Sequence, residues 1–267
     1  MDIDWGVWPV PFDDVGFAGV VLVYAAYLFG YYVRGSFGFG SNLPAVLLTA
    51  VVLGPHHAVL LASVVATFGQ VQLLPQGLHG ANWSRVVPVV LAMVIGNTLG
   101  VWLLTVLSAD WLLVLLGILV AFMVTSDRLN LLSRLETVID VRSPRLAAGI
   151  GTVSSAMGTV AGGGALYLLA PYLRLAARSP LEFRSTNVMI AGISSLNRIL
   201  MLSAAGLVTL ELLVESVALL PMIVLGTLAG TRFFKSAAPE RFFAALQWML
   251  LFAATLLAVK GAGTLLA

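Results

Sequence analysis

The chain has 267 residues, 60% of them hydrophobic and only 10% charged, with a mean hydropathy of +1.02. A soluble domain carries about 25% charged residues, so this chain could not solvate its own surface, and lipid must be the solvent for most of it. The net charge of +2 is scattered, which argues against a nucleic-acid partner. The absence of cysteine excludes disulfides, thiolate metal sites and thiol relays.

Lipid offers no water to unpaired backbone groups, so the expected class is an all-α integral membrane protein. Residues 1–15 form an acidic extension with Asp2, Asp4, Asp13 and Asp14. It lacks the positive start of a signal peptide, so the apolar run 16–34 is expected to be a retained helix. Segments at about 42–54, 57–76, 86–107 and 111–126 follow. A polar stretch, 127–145, carries Arg128, Arg134, Arg142 and Arg145. Beyond it come segments at about 146–161, 164–175, 184–205, 211–231 and 241–260. The expected organisation is therefore about ten segments, as a first transmembrane repeat (16–126), a loop (127–145) and a second repeat (146–267).

Basic residues collect in cytoplasmic loops, which makes 127–145 the natural cytoplasmic loop. Counting outward, Arg85, Arg174, Arg178, Arg184, Arg232, Lys235 and Arg241 fall on that same side. The acidic N-terminus, Asp110, Glu211 and Glu215 fall on the other, with Lys260 as a lone late positive. Five segments per half invert the second copy relative to the first, about an axis in the membrane plane. Matched features support duplication: Pro55 with Pro180, and Gly96 and Gly100 with Gly226 and Gly230. Those last pairs are Gly-xxx-Gly spacings, which let helix backbones approach closely in lipid.

Each half opens on a glycine-rich break, Gly35-Ser36-Phe37-Gly38-Phe39-Gly40-Ser41-Asn42 and Gly158-Thr159-Val160-Ala161-Gly162-Gly163-Gly164. Glycines at the start of a short helix free backbone N–H groups at the positive end of its dipole, a setting for a small anion. The alternative is that the glycines serve only tight helix packing. Gly38, Gly40, Ser41, Asn42, Gly162, Gly163 and Gly164 are the candidate binding residues at the breaks. Arg198 lies within an apolar segment, where it either faces a cavity or snorkels to an interface. Asn197 beside it, with Gln70 and Gln72 in the comparable segment of the first half, would line a cavity or bond helix to helix. Arg34 either neutralises an anion at the first break or marks a cytoplasmic helix end, and His56 and His57 are expected at the outer surface.

No metalloprotease, serine-hydrolase or phosphate-loop pattern is present and no carboxylate pair lies deep in a segment, so no enzyme, cofactor or metal site is expected. Transport would be passive or driven by a proton or ion gradient. With no buried carboxylate evident, a simple carboxylate relay is not expected.

Taken in order, these motifs resemble the sulfite exporter TauE/SafE family over about residues 16–260. The second break keeps Gly162-Gly163-Gly164 with Pro171 a little late. The first keeps Gly35, Gly38 and Gly40 but has Ser41 and Asn42 where glycines are typical, with Pro44 early. Pro55–Ser63, Pro180–Asn187 and Gly226-x-x-x-Gly230-Thr231-Arg232 resemble later family segments. The resemblance implies export of a small sulfur-containing anion, sulfite or an organosulfonate, across the bacterial inner membrane. Ser41 and Asn42 add side-chain donors that suit an oxyanion. The rival reading is an anion channel or a membrane scaffold.

Overall fold

The computed structural model describes residues 9–37, 41–71, 73–128, 143–163, 169, 172, 173 and 176–234, with single helical positions at 248, 251, 255, 259 and 263. Among these, every regular element is helical: α1 (Phe17–Phe37), α2 (Asn42–Leu53), α3 (Pro55–Val71), α4 (Leu74–Gly77), α5 (Trp83–Val106), α6 (Ala109–Arg128), α7 (Pro144–Val160), α8 (Pro180–Ala204), α9 (Leu210–Ala218) and α10 (Leu220–Phe234). Among the described residues four stretches are long and apolar enough to cross a membrane: Phe17–Ser36, Trp83–Val106, Pro180–Ala204 and Leu210–Arg232. Asn42–Leu53 and Ala109–Phe122 are shorter apolar helices. Gly38, Gly40, Gln72, Gly164, most of the 127–145 stretch and most of segments 164–175 and 241–260 lie outside the described residues.

α5 shows why lipid is the solvent. Its exposed side carries Trp83, Val87, Leu91, Ile95, Leu99, Trp102 and Val106, spaced three or four residues apart. Its buried side carries Val89, Met93, Gly96, Asn97, Gly100 and Leu104. A water-facing helix would be polar on the exposed side. Here the exposed side carries large apolar side chains, with Ser84, Thr98 and Thr105 as its polar exceptions, and tryptophans stand near both ends, where membrane interfaces favour them.

Two helix pairs have the most extensive contacts, α5 with α7 and α1 with α10. Glycines make both possible. A Cβ on Gly100 would stand 2.6 Å from Thr159 Cβ, and one on Gly226 would stand 2.5 Å from the Leu28 carbonyl oxygen. Gly96 likewise faces Thr152 and Ser155, and Gly230 faces Tyr32 and Ser36. Residue numbers rise together across each crossing, so both pairs run parallel. Ser36 Oγ reinforces one crossing by donating to the Gly230 carbonyl at 3.1 Å, and Thr152 Oγ1 the other by donating to the Ala92 carbonyl at 3.1 Å.

Three expected boundaries are corrected. The chain stays helical through Gly35 and Ser36, so the first break begins only after Phe37. Segment 57–76 divides into α3 and the short α4, whose Gly77 backs onto Met189 of α8. Segment 211–231 divides at Leu219, because Pro221 has no N–H to continue the ladder and the chain restarts from the Leu219 carbonyl. Helix starts are set by local chemistry. Ser179 Oγ accepts from Glu182 N at 3.1 Å, and Thr209 Oγ1 accepts from Leu212 N at 3.2 Å.

Candidate functional site

The two breaks meet. α7 ends at Val160, and the chain turns through Ala161, Gly162 and Gly163. Gly162 has φ 73° and Gly163 φ 106°, backbone states that side chains disfavour. Gly162 packs against α2 and α3, where a Cβ would stand 2.7 Å from Val46 Cγ2 and 2.9 Å from Ala62 Cβ. Across the gap, Asn42 opens α2 and donates its side-chain amide to the Gly162 carbonyl. Ser41 Oγ donates to Asn42 Oδ1 at 2.7 Å, which fixes the amide's orientation. Both side chains are buried.

Arg198 completes the group. It is 2% exposed, so the snorkelling alternative is ruled out. A Cβ on Gly163 would stand 2.7 Å from Asn42 Nδ2 and 2.8 Å from Arg198 Nη2. The guanidinium and the amide therefore converge on one glycine, and only glycine leaves them space. Arg198 Nη2 donates to Ser195 Oγ at 3.4 Å, while Nε has no hydrogen-bond partner among the described residues. A buried guanidinium has five N–H donors to satisfy, and burying it unpaired costs several kcal/mol. Such a group has strong affinity for an anion.

The free N–H groups expected at 162 and 163 are corrected. Gly162 N donates to the Thr159 carbonyl at 3.3 Å and Gly163 N to the Gly158 carbonyl at 2.5 Å, so both close the end of α7. The donors that remain at the junction come from the Arg198 guanidinium, from the second N–H of the Asn42 amide and from the N-terminal end of α2, whose dipole favours an anion.

Asn197 is engaged elsewhere, accepting from Asn97 Nδ2 at 3.0 Å. Asn97 is fully buried and also donates to the Ser194 carbonyl at 3.1 Å and accepts from Thr159 Oγ1 at 3.1 Å. This network ties α5, α7 and α8 together one turn before the second break. Gln70 is half-buried near the end of α3. Beside it, Gly69 lies under the Arg34 guanidinium, whose Cζ stands 5.6 Å from the centre of the Tyr31 ring.

Sequence reasoning missed one feature outright. Glu215 on α9 is 2% exposed, so a buried carboxylate does exist. His57 Nε2 meets Glu215 Oε2 at 2.5 Å. His57 is therefore only partly at the surface, with its side chain 33% exposed. The available signal was the phase of α9, where Leu212, Glu215, Ser216 and Leu219 follow one helical stripe. His56 turns the other way, with Nε2 3.1 Å from the Leu107 carbonyl oxygen.

The family model described as sulfite exporter TauE/SafE matches residues 22–260, nearly the whole chain. No curated protein and no solved structure matches it. With its multi-pass apolar helices and that match over most of its length, the chain belongs to the sulfite exporter TauE/SafE family of membrane transporters.

Proposed function

We propose that the protein is a secondary transporter of a small sulfur oxyanion, sulfite or an organosulfonate, in the bacterial inner membrane. The anion binds at the junction of the two breaks. Arg198 supplies the positive charge, the Asn42 amide, held in place by Ser41, orients the oxygens, and Gly163 keeps the space between them open. The carrying observation is the convergence of Arg198 and Asn42 on Gly163, with Arg198 Nε unpartnered among the described residues. Gly38, Gly40, Gly164, Gln70 and Gln72 are the further candidates for the walls of the cavity.

The mechanism we infer is alternating access between two inverted halves, 16–126 and 146–267, joined by a cytoplasmic loop. The reciprocal pairing supports this reading. The first long helix of each half packs in parallel on the glycine helix of the other, α1 on α10 and α7 on α5. A pseudo-twofold axis produces that exchange. Arg34 and Arg232 then share one end, as the loop charges require.

Counterflow in liposomes tests the proposal. Vesicles preloaded with unlabelled sulfite, and in parallel with an alkanesulfonate, should transiently accumulate the labelled anion with saturable kinetics. A channel would give linear, non-accumulating flux. Absence of flux for every sulfur anion tried would refute the substrate assignment.

A further inference from the structure

Glu215 is the one carboxylate classed as buried among the described residues, and the transport reading gives it no task. It sits one and a half turns into α9, held between Leu212 and Leu219, both buried. Its partner His57 is in the first turn of α3 and reaches the outer surface. A neutral imidazole beside a carboxylate leaves a net charge of −1 out of water. One added proton gives imidazolium–carboxylate, or imidazole–carboxylic acid, with no net charge. In a low-dielectric interior that difference alters the energy of any movement that changes how deeply the pair is buried.

α3 links this pair to the anion site. His57 lies on the turn that precedes Val59 and Ala62, whose carbonyl oxygen and Cβ pack against Gly162. The two places are five residues apart, about 7.5 Å along one rigid helix. A shift of α3 that follows the charge of His57 must therefore move the wall behind Gly162 and Gly163. The groups that face the pair are few. α9 adds Glu211, and the segment before α1 adds Asp13 and Asp14, exposed acids close to Glu211. α1 adds Tyr27, fully buried, with an unpartnered hydroxyl in electrostatic reach of Glu215. Tyr31 lies one turn further toward the first break, its hydroxyl within reach of Arg34 and Ser41. The acids stand beside the exposed end of the pair, and Tyr27 and Tyr31 continue the polar line along α1 toward the first break.

We propose that His57 and Glu215 form the proton-loading site that couples anion movement to a proton gradient, with α3 as the coupling element. The proposal rests on the transport reading above. The proton between His57 Nε2 and Glu215 Oε2 is already in place in their hydrogen bond, so loading takes a second proton from the outer side onto His57 Nδ1 or Glu215 Oε1, and unloading returns it; no bond other than this N–H or O–H is made or broken.

The test uses an alkanesulfonate, a strong-acid anion that brings no proton of its own, and liposomes with a pH-indicating dye in the lumen. Wild-type protein should move protons when the sulfonate flows down its gradient, and a pH gradient should drive its accumulation. Glu215→Gln should keep labelled-sulfonate exchange within about twofold while losing gradient-driven accumulation by about tenfold or more. His57→Gln provides the same readout if Glu215→Gln does not purify as a single species. Net downhill sulfonate flux through the wild type without proton movement overturns this proposal alone, as does a Glu215→Gln protein that still moves protons. Absence of wild-type exchange for every sulfur anion overturns the transport reading, and this proposal falls with it.

Discussion

Arg198 and Glu215 are equally buried, each 2% exposed, and the fold treats them in opposite ways. Glu215 has a histidine at 2.5 Å. Among the described residues Arg198 has a long hydrogen bond to Ser195 and no partner for Nε. A buried charge with its partner in place can be kept indefinitely. One without a partner raises the energy of the empty state and is relieved when an anion arrives. The contrast sets a charge whose partner is in place against one whose partner, on the proposed reading, is the substrate.

Removing His57 is expected to have the largest effect on stability. His57→Ala leaves Glu215 buried and unpaired, which costs toward the low end of about 3–5 kcal/mol, since part of His57 stays in water. Thermal unfolding in detergent would read this, and adding Glu215→Gln should recover most of the loss. A His57→Ala protein as stable as wild type would mean that Glu215 reaches water, and the comparison would break. Arg198→Met should do the reverse. It should weaken anion binding about 100-fold, about 3 kcal/mol, yet unfold at a higher temperature than wild type without anion. Destabilisation by Arg198→Met would instead assign the arginine a structural partner.

Smaller effects sharpen the geometry. Gly163→Ala places a Cβ between Asn42 and Arg198 at a φ of 106°, so strain of about 1–3 kcal/mol is expected. Binding should fall more than stability, and calorimetry against thermal unfolding separates the two. Asn42→Ala removes the amide that clasps the Gly162 carbonyl and should cost about 1 kcal/mol. Faster hydrogen exchange at the start of α2 would report the loosened junction.

The sequence carried the parts of this comparison unevenly. Gly162, Gly163 and Arg198 were legible because glycine runs and a lone charge stand out in apolar sequence. Their meeting with Asn42 depended on pairing the breaks, for which the repeat offered a reason but no distance. The bonded state of the Gly162 and Gly163 N–H groups was not legible, since it depends on how the end of α7 closes. For Asn197 the sequence could not choose between a cavity wall and a helix-to-helix bond, and Asn97, a hundred residues away, holds it in the second. Glu215 was counted as an outer-loop charge because it lies near a segment end. Only the stripe of α9 and the distant His57 show it to be interior. Composition marked which residues are costly in lipid, while tertiary contacts decided which of them are paired.

The central claim is that Arg198 at the joined breaks binds a small sulfur oxyanion. Calorimetric titration of purified wild-type protein with sulfite and with an alkanesulfonate, beside Arg198→Gln, tests it most directly. The account predicts saturable binding of at least one anion to wild type, weakened about 100-fold in the variant. Equal binding by both proteins, or none by wild type, would contradict it.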